Sequence, residues 1–476
     1  MSRSKKITLF SLLGVLAAAC IATFIVSRYE EKKEIIKNSD EIILSIPYDS
    51  VTALAWEYGD TSLSFARAES WTWSEDEAFP VDEEKIAELL SQFEEFGVSF
   101  IIESADDLSL YGLNKPEATI TIEADENEYV IKLGDYSVLD SERYVSIGDG
   151  NVYLVKHDPL EDYEITIEDL ILDDVIPDVS SATKLVFDCN EKYTVEYEEE
   201  STKSCCPEDI YFAGSKPLDT SNVNSYLSTV RNLSTDTYVS YNVTEEELSE
   251  YGLDSPELKL TITYPSDTEE DEEAVYEDFI LSVGRNQEEL AEAAESDEDE
   301  EDAEENVTAY FRIGESQIVY QLSNSSYEKL IAASYNDLRH KELMTASFED
   351  VYQLDFKLEG KTYSITSAEA EDEDEDPVWS YNDREDIEIT EIRSAISNLY
   401  ASKFTDEAPS QKEEISLTLY LNNENFPEIQ IALYRYDGES CIAQLDGKTV
   451  ALLPRSQVVD LIEAVNGIIL DTQELS

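Results

Sequence analysis

The chain runs to 476 residues, more than one ordinary domain needs, and its 42% apolar and 10% aromatic content is enough to build real cores. It carries 108 acidic residues against 33 basic ones, a net charge of −75. That balance excludes nucleic acid as a partner, because phosphates are repelled, and works against lying flat on anionic lipid.

In chain order, residues 1–6 carry Arg3, Lys5 and Lys6, and residues 7–26 then read ITLFSLLGVLAAACIATFIV without a charge. Twenty such residues at about 1.5 Å each cross a bilayer core, so 7–26 is predicted to be a transmembrane helix. The early positive charges keep residues 1–6 in the cytoplasm and place the rest of the chain outside. Ala17-Ala18-Ala19-Cys20 is also compatible with signal-peptide cleavage or with a lipid on Cys20. The apolar run continues past Cys20 to Val26, which favours an uncleaved anchor. Residues 27–46 read as a mixed-charge juxtamembrane linker.

A first module is predicted over 47–178. Segments 51–58, 62–66 and 71–73 alternate or run apolar between turn residues and read as a β-meander. Residues 81–96 put Val81, Ile86, Leu89, Leu90 and Phe93 on one helical face, with Asp82, Glu83 and Glu84 in the first turn. Strands follow at 118–122, 128–133, 144–147 and 152–155, and a short acidic helix is expected around 165–172.

The chain then repeats itself. YGLNKPEATITI at 111–122 returns as YGLDSPELKLTI at 251–262, 140 residues on. Gly134 matches Gly284 and Ile147-Gly148 matches Ile313-Gly314, at growing offsets. A second module over 179–340 is therefore the first with acidic insertions at 266–273 and 287–306, tolerated because longer surface loops cost little more to close. A fainter third copy spans 346–470. There 351–356 resembles 51–56, 392–399 supplies the helix and 415–421 the strand after it. Ala408-Pro409-Ser410 replaces the tyrosine-glycine-leucine turn, and 369–376 forms an acidic loop. In that turn Gly112 is expected at positive φ, with Tyr111 and Leu113 packed on the sheet. The predicted fold class is α+β: an N-terminal transmembrane helix followed by three related modules, each an antiparallel β-sheet with one or two helices packed on it.

Trp71, Asp82, Tyr111, Gly112, Leu113, Pro116, Gly134, Val152 and Tyr153, with Tyr251, Gly252, Leu253, Pro256, Gly284, Val319 and Tyr320 in the second copy, form a pattern that resembles the DUF4340 domain of bacterial membrane-anchored proteins. The resemblance implies a genomic association with ABC-transporter permeases and gliding-motility-type auxiliary proteins, and no mechanism.

No catalytic, cofactor or metal residues are assigned. The only histidines, His157 and His340, read as surface or helix-capping residues, and no nucleophile-elbow, zincin or phosphate-loop motif occurs. Cys189, Cys205, Cys206 and Cys441 lack C-x-x-C spacing and a histidine nearby in sequence, so no zinc site is expected. Cys205-Cys206 could be a vicinal disulfide, two thiols, or one partner of a bridge to Cys189. Weak Ca²⁺ binding by the acidic loops is the sole cofactor expectation; 297–302 lacks the central glycine of an EF-hand. The expected function is therefore non-enzymatic: a single-pass, extracytoplasmic interaction or scaffolding unit whose partner is a membrane complex, with ABC-transporter permease or auxiliary subunits foremost. An envelope binder of polysaccharide or divalent cations is the alternative, and a carboxylate-based hydrolase the remote one.

Overall fold

A computed structural model describes residues 41–103, 105, 107–266, 274–295, 307–368 and 377–471. The expected anchor 7–26 with Cys20, the segment 1–6 and most of the linker 27–46 lie outside the described residues, as do 267–273, 296–306 and the acidic loop 369–376. Among the described residues no helix is long and apolar enough to cross a membrane. The chain divides into two compact units, Met1–Asp174 and Val175–Ser476.

The first unit holds a nine-stranded antiparallel sheet. Its spatial order is Glu41–Leu44, Phe96–Ile102, Val152–Val155, Glu142–Ser146, Asn127–Ser137, Ala118–Ala124, Val51–Tyr58, Thr61–Arg67 and Trp71–Trp73. The second unit holds two more sheets. One runs Lys216–Pro217, Tyr211–Ala213, Lys192–Tyr197, Lys184–Asp188, Leu258–Pro265, Tyr276–Arg285, Ala309–Ile313, Val319–Leu322 and Tyr238–Ser240. The other runs Val378–Ser380, Lys361–Ala368, Val351–Leu358, Glu413–Leu421, Glu428–Arg435, Ser440–Leu445, Lys448–Pro454 and Lys403–Phe404.

All three sheets follow one plan. An opening meander leads into a helix, the next strand goes to the far edge, and a four-stranded meander fills the space between. Registers agree: Trp56 faces Ile120 in the first sheet and Phe356 faces Leu417 in the third. The three-module α+β reading thus holds at the level of sheets and helices.

The core follows from alternation. Ile120, Ile122, Leu417 and Leu419 are buried while their strand neighbours are more open, as one-sided burial of a pleated strand requires. In the first unit Trp56 is fully buried, stacked on Phe65 at 5.6 Å and met edge-on by Tyr163 at 5.2 Å. Tyr163 sits in the short helix Leu160–Tyr163 and donates its hydroxyl to the Leu89 carbonyl, tying that segment to the main helix.

That main helix is Glu83–Ser91, capped by the Asp82 carboxylate, which accepts from the Glu84 and Lys85 amides. Val81, Ile86, Leu89, Leu90 and Phe93 are all buried as the periodicity predicts, but the helix is shorter than 81–96. Phe96 opens the strand Phe96–Ile102 instead, because FGVSFII is rich in β-branched and aromatic residues and pairs with Val152–Val155. Glu41–Leu44 adds a further edge strand, so the sheet begins inside the stretch read as linker. The expected helix at 165–172 is a 3₁₀ turn, Ile167–Leu170, after which the Leu172 amide bonds back to the Pro80 carbonyl. The insertion at 287–306 is not simply a loop. It opens with the helix Gln287–Glu295, capped by Asn286 and tied back through Glu289 to the Thr308 amide.

Candidate functional site

The repeated turn is the first place to look. Gly112 has φ 70° and Gly252 φ 67°, as expected of a left-handed position. The turn lies directly on the neighbouring strand. A Cβ on Gly134 would collide with the Tyr111 carbonyl oxygen, and one on Gly284 would sit 2.5 Å from the Gly252 oxygen. Tyr111 packs on Tyr144 and Tyr251 on Tyr310, each at 5.0 Å, while Leu113 and Leu253 are buried. The paired glycines and packed side chains account for the motif as a structural clamp.

A glutamate at the matching place in each of the three sheets carries no mark in the sequence. Glu117 pairs with Arg143 at 2.6 Å, Glu257 with Arg285 at 2.8 Å and Glu414 with Arg435 at 2.6 Å. Each precedes the strand residue that faces Leu133, Val283 or Leu433. Arg143 is buried and also takes Asp158 at 2.6 Å and the Gly134 carbonyl. These charges are mutually satisfied, which makes them struts.

The first unit also exposes apolar side chains where polar ones are usual. The hairpin after Asn127–Ser137 turns at Val138 and Leu139, which are 83% and 97% exposed. Leu110, on the clamp's 3₁₀ turn Leu108–Tyr111, is 72% exposed. Tyr111 against Tyr144, and Gly112 against Asp135, bring that turn beside the base of the hairpin. The second module has Glu250 where the first has Leu110, and its acidic helix Gln287–Glu295 follows the matching strand.

The two histidine expectations part. His157 lies in the first unit as an exposed partner of Asp162, at 2.8 Å. His340 lies off the helices and is half-buried, where His157 is exposed. It lies beyond Tyr335–Leu338 with its side chain 17% exposed. Its Nε2 is 2.7 Å from Oδ1 of buried Asp209, whose other oxygen accepts from the Ser204 hydroxyl. Its Nδ1 is 3.7 Å from Asp219 and 3.8 Å from Glu342. Burial alone would lower the imidazole pKa, but the bond to Asp209 and the charges of Asp209, Asp219 and Glu342 raise it above the ordinary 6.5.

Cys206 joins this cluster in space, so a histidine does stand near a cysteine although the sequence separates them. Cys205 and Cys206 are free thiols, as are Cys189 and Cys441. Burial, a bond to Glu208 and the charge of Asp209 push the Cys206 thiol up to about 12. Both shifts favour the protonated forms, whereas a metal would need the imidazole and the thiol deprotonated. It sits where the chain crosses from the second sheet to the third. The Asp219 amide bonds to the Leu338 carbonyl, and the Leu343 amide to that of Leu399.

Beside this crossing a groove of about 740 Å³ opens between the helix Thr220–Arg231 and the edge strand Lys403–Phe404. Lys329, Lys341 and Lys403 line it together with Ser225, Thr229 and Ser402.

Three antiparallel sheets on one plan, braced by glutamate–arginine pairs, make this a tandem-repeat α+β protein. A family model, "Domain of unknown function (DUF4340)", matches residues 36–203 and 213–418, and the chain belongs to that family. The match runs into the strand Glu413–Leu421 of the third copy, which lacks the turn motif, and leaves out 204–212, which carry Cys205, Cys206 and Asp209. No curated protein matches the chain, and no solved structure does.

Proposed function

We propose that the chain is a non-enzymatic, single-pass membrane protein whose modules form an extracytoplasmic docking unit for a membrane complex. ABC-transporter permease or auxiliary subunits are the first candidates. The observation that carries this reading is the apolar hairpin tip of the first module, Val138 and Leu139, with Leu110 beside its base. Exposed apolar clusters on an otherwise strongly charged surface mark protein contact sites. The second module supports it by contrast, with Glu250 and an acidic helix at the corresponding places. The uncharged run 7–26 would supply the anchor, and the genomic association that the family resemblance implies would supply the class of partner.

The test is a photo-crosslinking residue at Leu139 of the full chain in its native membrane, read by mass spectrometry. Transporter subunits are expected among the captured proteins, and V138S/L139S should lower capture with little change in melting temperature. Capture of wall polymer or of other copies alone would overturn the reading.

A further inference from the structure

We propose that the groove between the second and third sheets binds an anionic, hydroxyl-rich ligand: a saccharide carrying carboxylate or phosphate groups. The chain as a whole has 108 acidic residues and 33 lysines and arginines, yet the groove lining reverses that ratio, with Lys329, Lys341 and Lys403 against Asp337 alone. Asp337 is already engaged, closing a capping box with Ser334. None of the three lysines has an ion-pair partner among the described residues, although carboxylates are plentiful elsewhere.

The three ammonium groups come from separate pieces of chain. Lys329 is on the helix Asn324–Ile331, Lys341 on the crossing segment and Lys403 on the edge strand. The Lys341 carbonyl accepts the Ala401 amide, which fixes the last two positions relative to each other. Like charges gathered around one concavity repel, and an anion seated among them removes that repulsion. Charge beyond a Debye length of about 8 Å is largely screened at physiological salt, so the distant acidic surface weighs little on the groove, and the nearby carboxylates Asp209, Asp219 and Glu342 are gathered on His340.

The remaining lining narrows the ligand class. Ser225, Thr229 and Ser402 offer hydroxyls, and Asn222 and Asn336 offer amides, the groups that exchange hydrogen bonds with sugar hydroxyls. Phe404 supplies an apolar wall, with its ring also covered by Arg339 at 4.2 Å. The volume, about 740 Å³, lies within the range of small-ligand sites.

The test is calorimetric titration of the full chain at physiological salt with three probes: trigalacturonate, a glycerol-phosphate trimer and neutral maltotriose. At least one anionic probe should bind with a Kd of about a millimolar or tighter, and maltotriose about tenfold more weakly or not at all. The variant K329Q/K341Q/K403Q should lose about tenfold in affinity, T229W should block the groove, and K361Q, away from it, should change nothing. Unchanged melting temperatures establish that each variant is folded. Binding of trigalacturonate alone assigns a carboxylated sugar; binding of the glycerol phosphate alone assigns a phosphorylated one. Failure of both anions, equal binding of maltotriose, or full affinity in the triple variant overturns the proposal.

Discussion

Apart from the extra edge strand Glu41–Leu44 of the first, the first and third sheets share a strand order, and they differ at one joint. In the first, a turn with Gly112 at positive φ lies on the strand at Gly134. In the third, Ala408-Pro409-Ser410 stands in place of that turn, and Tyr434 occupies the position that Gly134 and Gly284 hold in the other two. The two glycines of each clamp are present together or absent together, because each makes room for the other's backbone. The glutamate beside the joint persists in all three sheets while its arginine moves, from the next strand but one in Arg143 to the adjacent strand in Arg285 and Arg435. The sheet plan therefore does not depend on the clamp, and the charged strut is the more general device.

That comparison breaks if the clamp glycines tolerate a side chain. Gly134→Ala should cost about 3 kcal/mol or more, because the Tyr111 backbone must shift, whereas Tyr434→Ala should cost about 1–2 kcal/mol. Peptide-resolved hydrogen exchange assigns each loss to its own sheet, and a Gly134→Ala chain as protected as the wild type would end the argument. Arg143→Met comes next, at about 3 kcal/mol, since it strands Asp158, only 9% exposed, without a cation. Glu257→Gln should cost about 1 kcal/mol, because that pair is more open to water and the amide still bonds. Denaturant unfolding orders the two, and equal losses would show that burial does not set their worth.

The smallest effect concerns His340. Its pKa is raised in the folded chain, so its stabilisation is fully present below the ordinary 6.5 and disappears as pH rises through the folded value. Between pH 6 and pH 8 the melting temperature of the wild type should fall about two degrees more than that of His340→Asn. Parallel curves would mean that the imidazole gains nothing from its three carboxylates.

Much of the fold was legible because alternation and repetition are local. The strands Val51–Tyr58 and Val152–Val155 fall where the pattern puts them, and the buried face of Glu83–Ser91 is the one periodicity selects. Phe96 follows Phe93 at a spacing that a helix also allows, and only pairing with Val152–Val155 reveals the strand. The candidate sites were not legible. Lys329, Lys341 and Lys403 are unremarkable singly, and Asp209 meets His340 across 131 residues of chain. Among 108 acidic residues, no spacing marks Glu117, Glu257 and Glu414 as struts.

The strand that leaves each helix for the far edge has a kinetic consequence. Val98 must wait for Val155, Tyr238 for Tyr320 and Lys403 for Leu452 before it has a neighbour on its inner side. A chain emerging amino-terminus first holds each half-built sheet open until its final meander is made, since such distant pairings form slowly. The acidic insertions of the second module lie within its longest wait, between Tyr238 and Tyr320, where repulsion between chains guards an unfinished edge against aggregation.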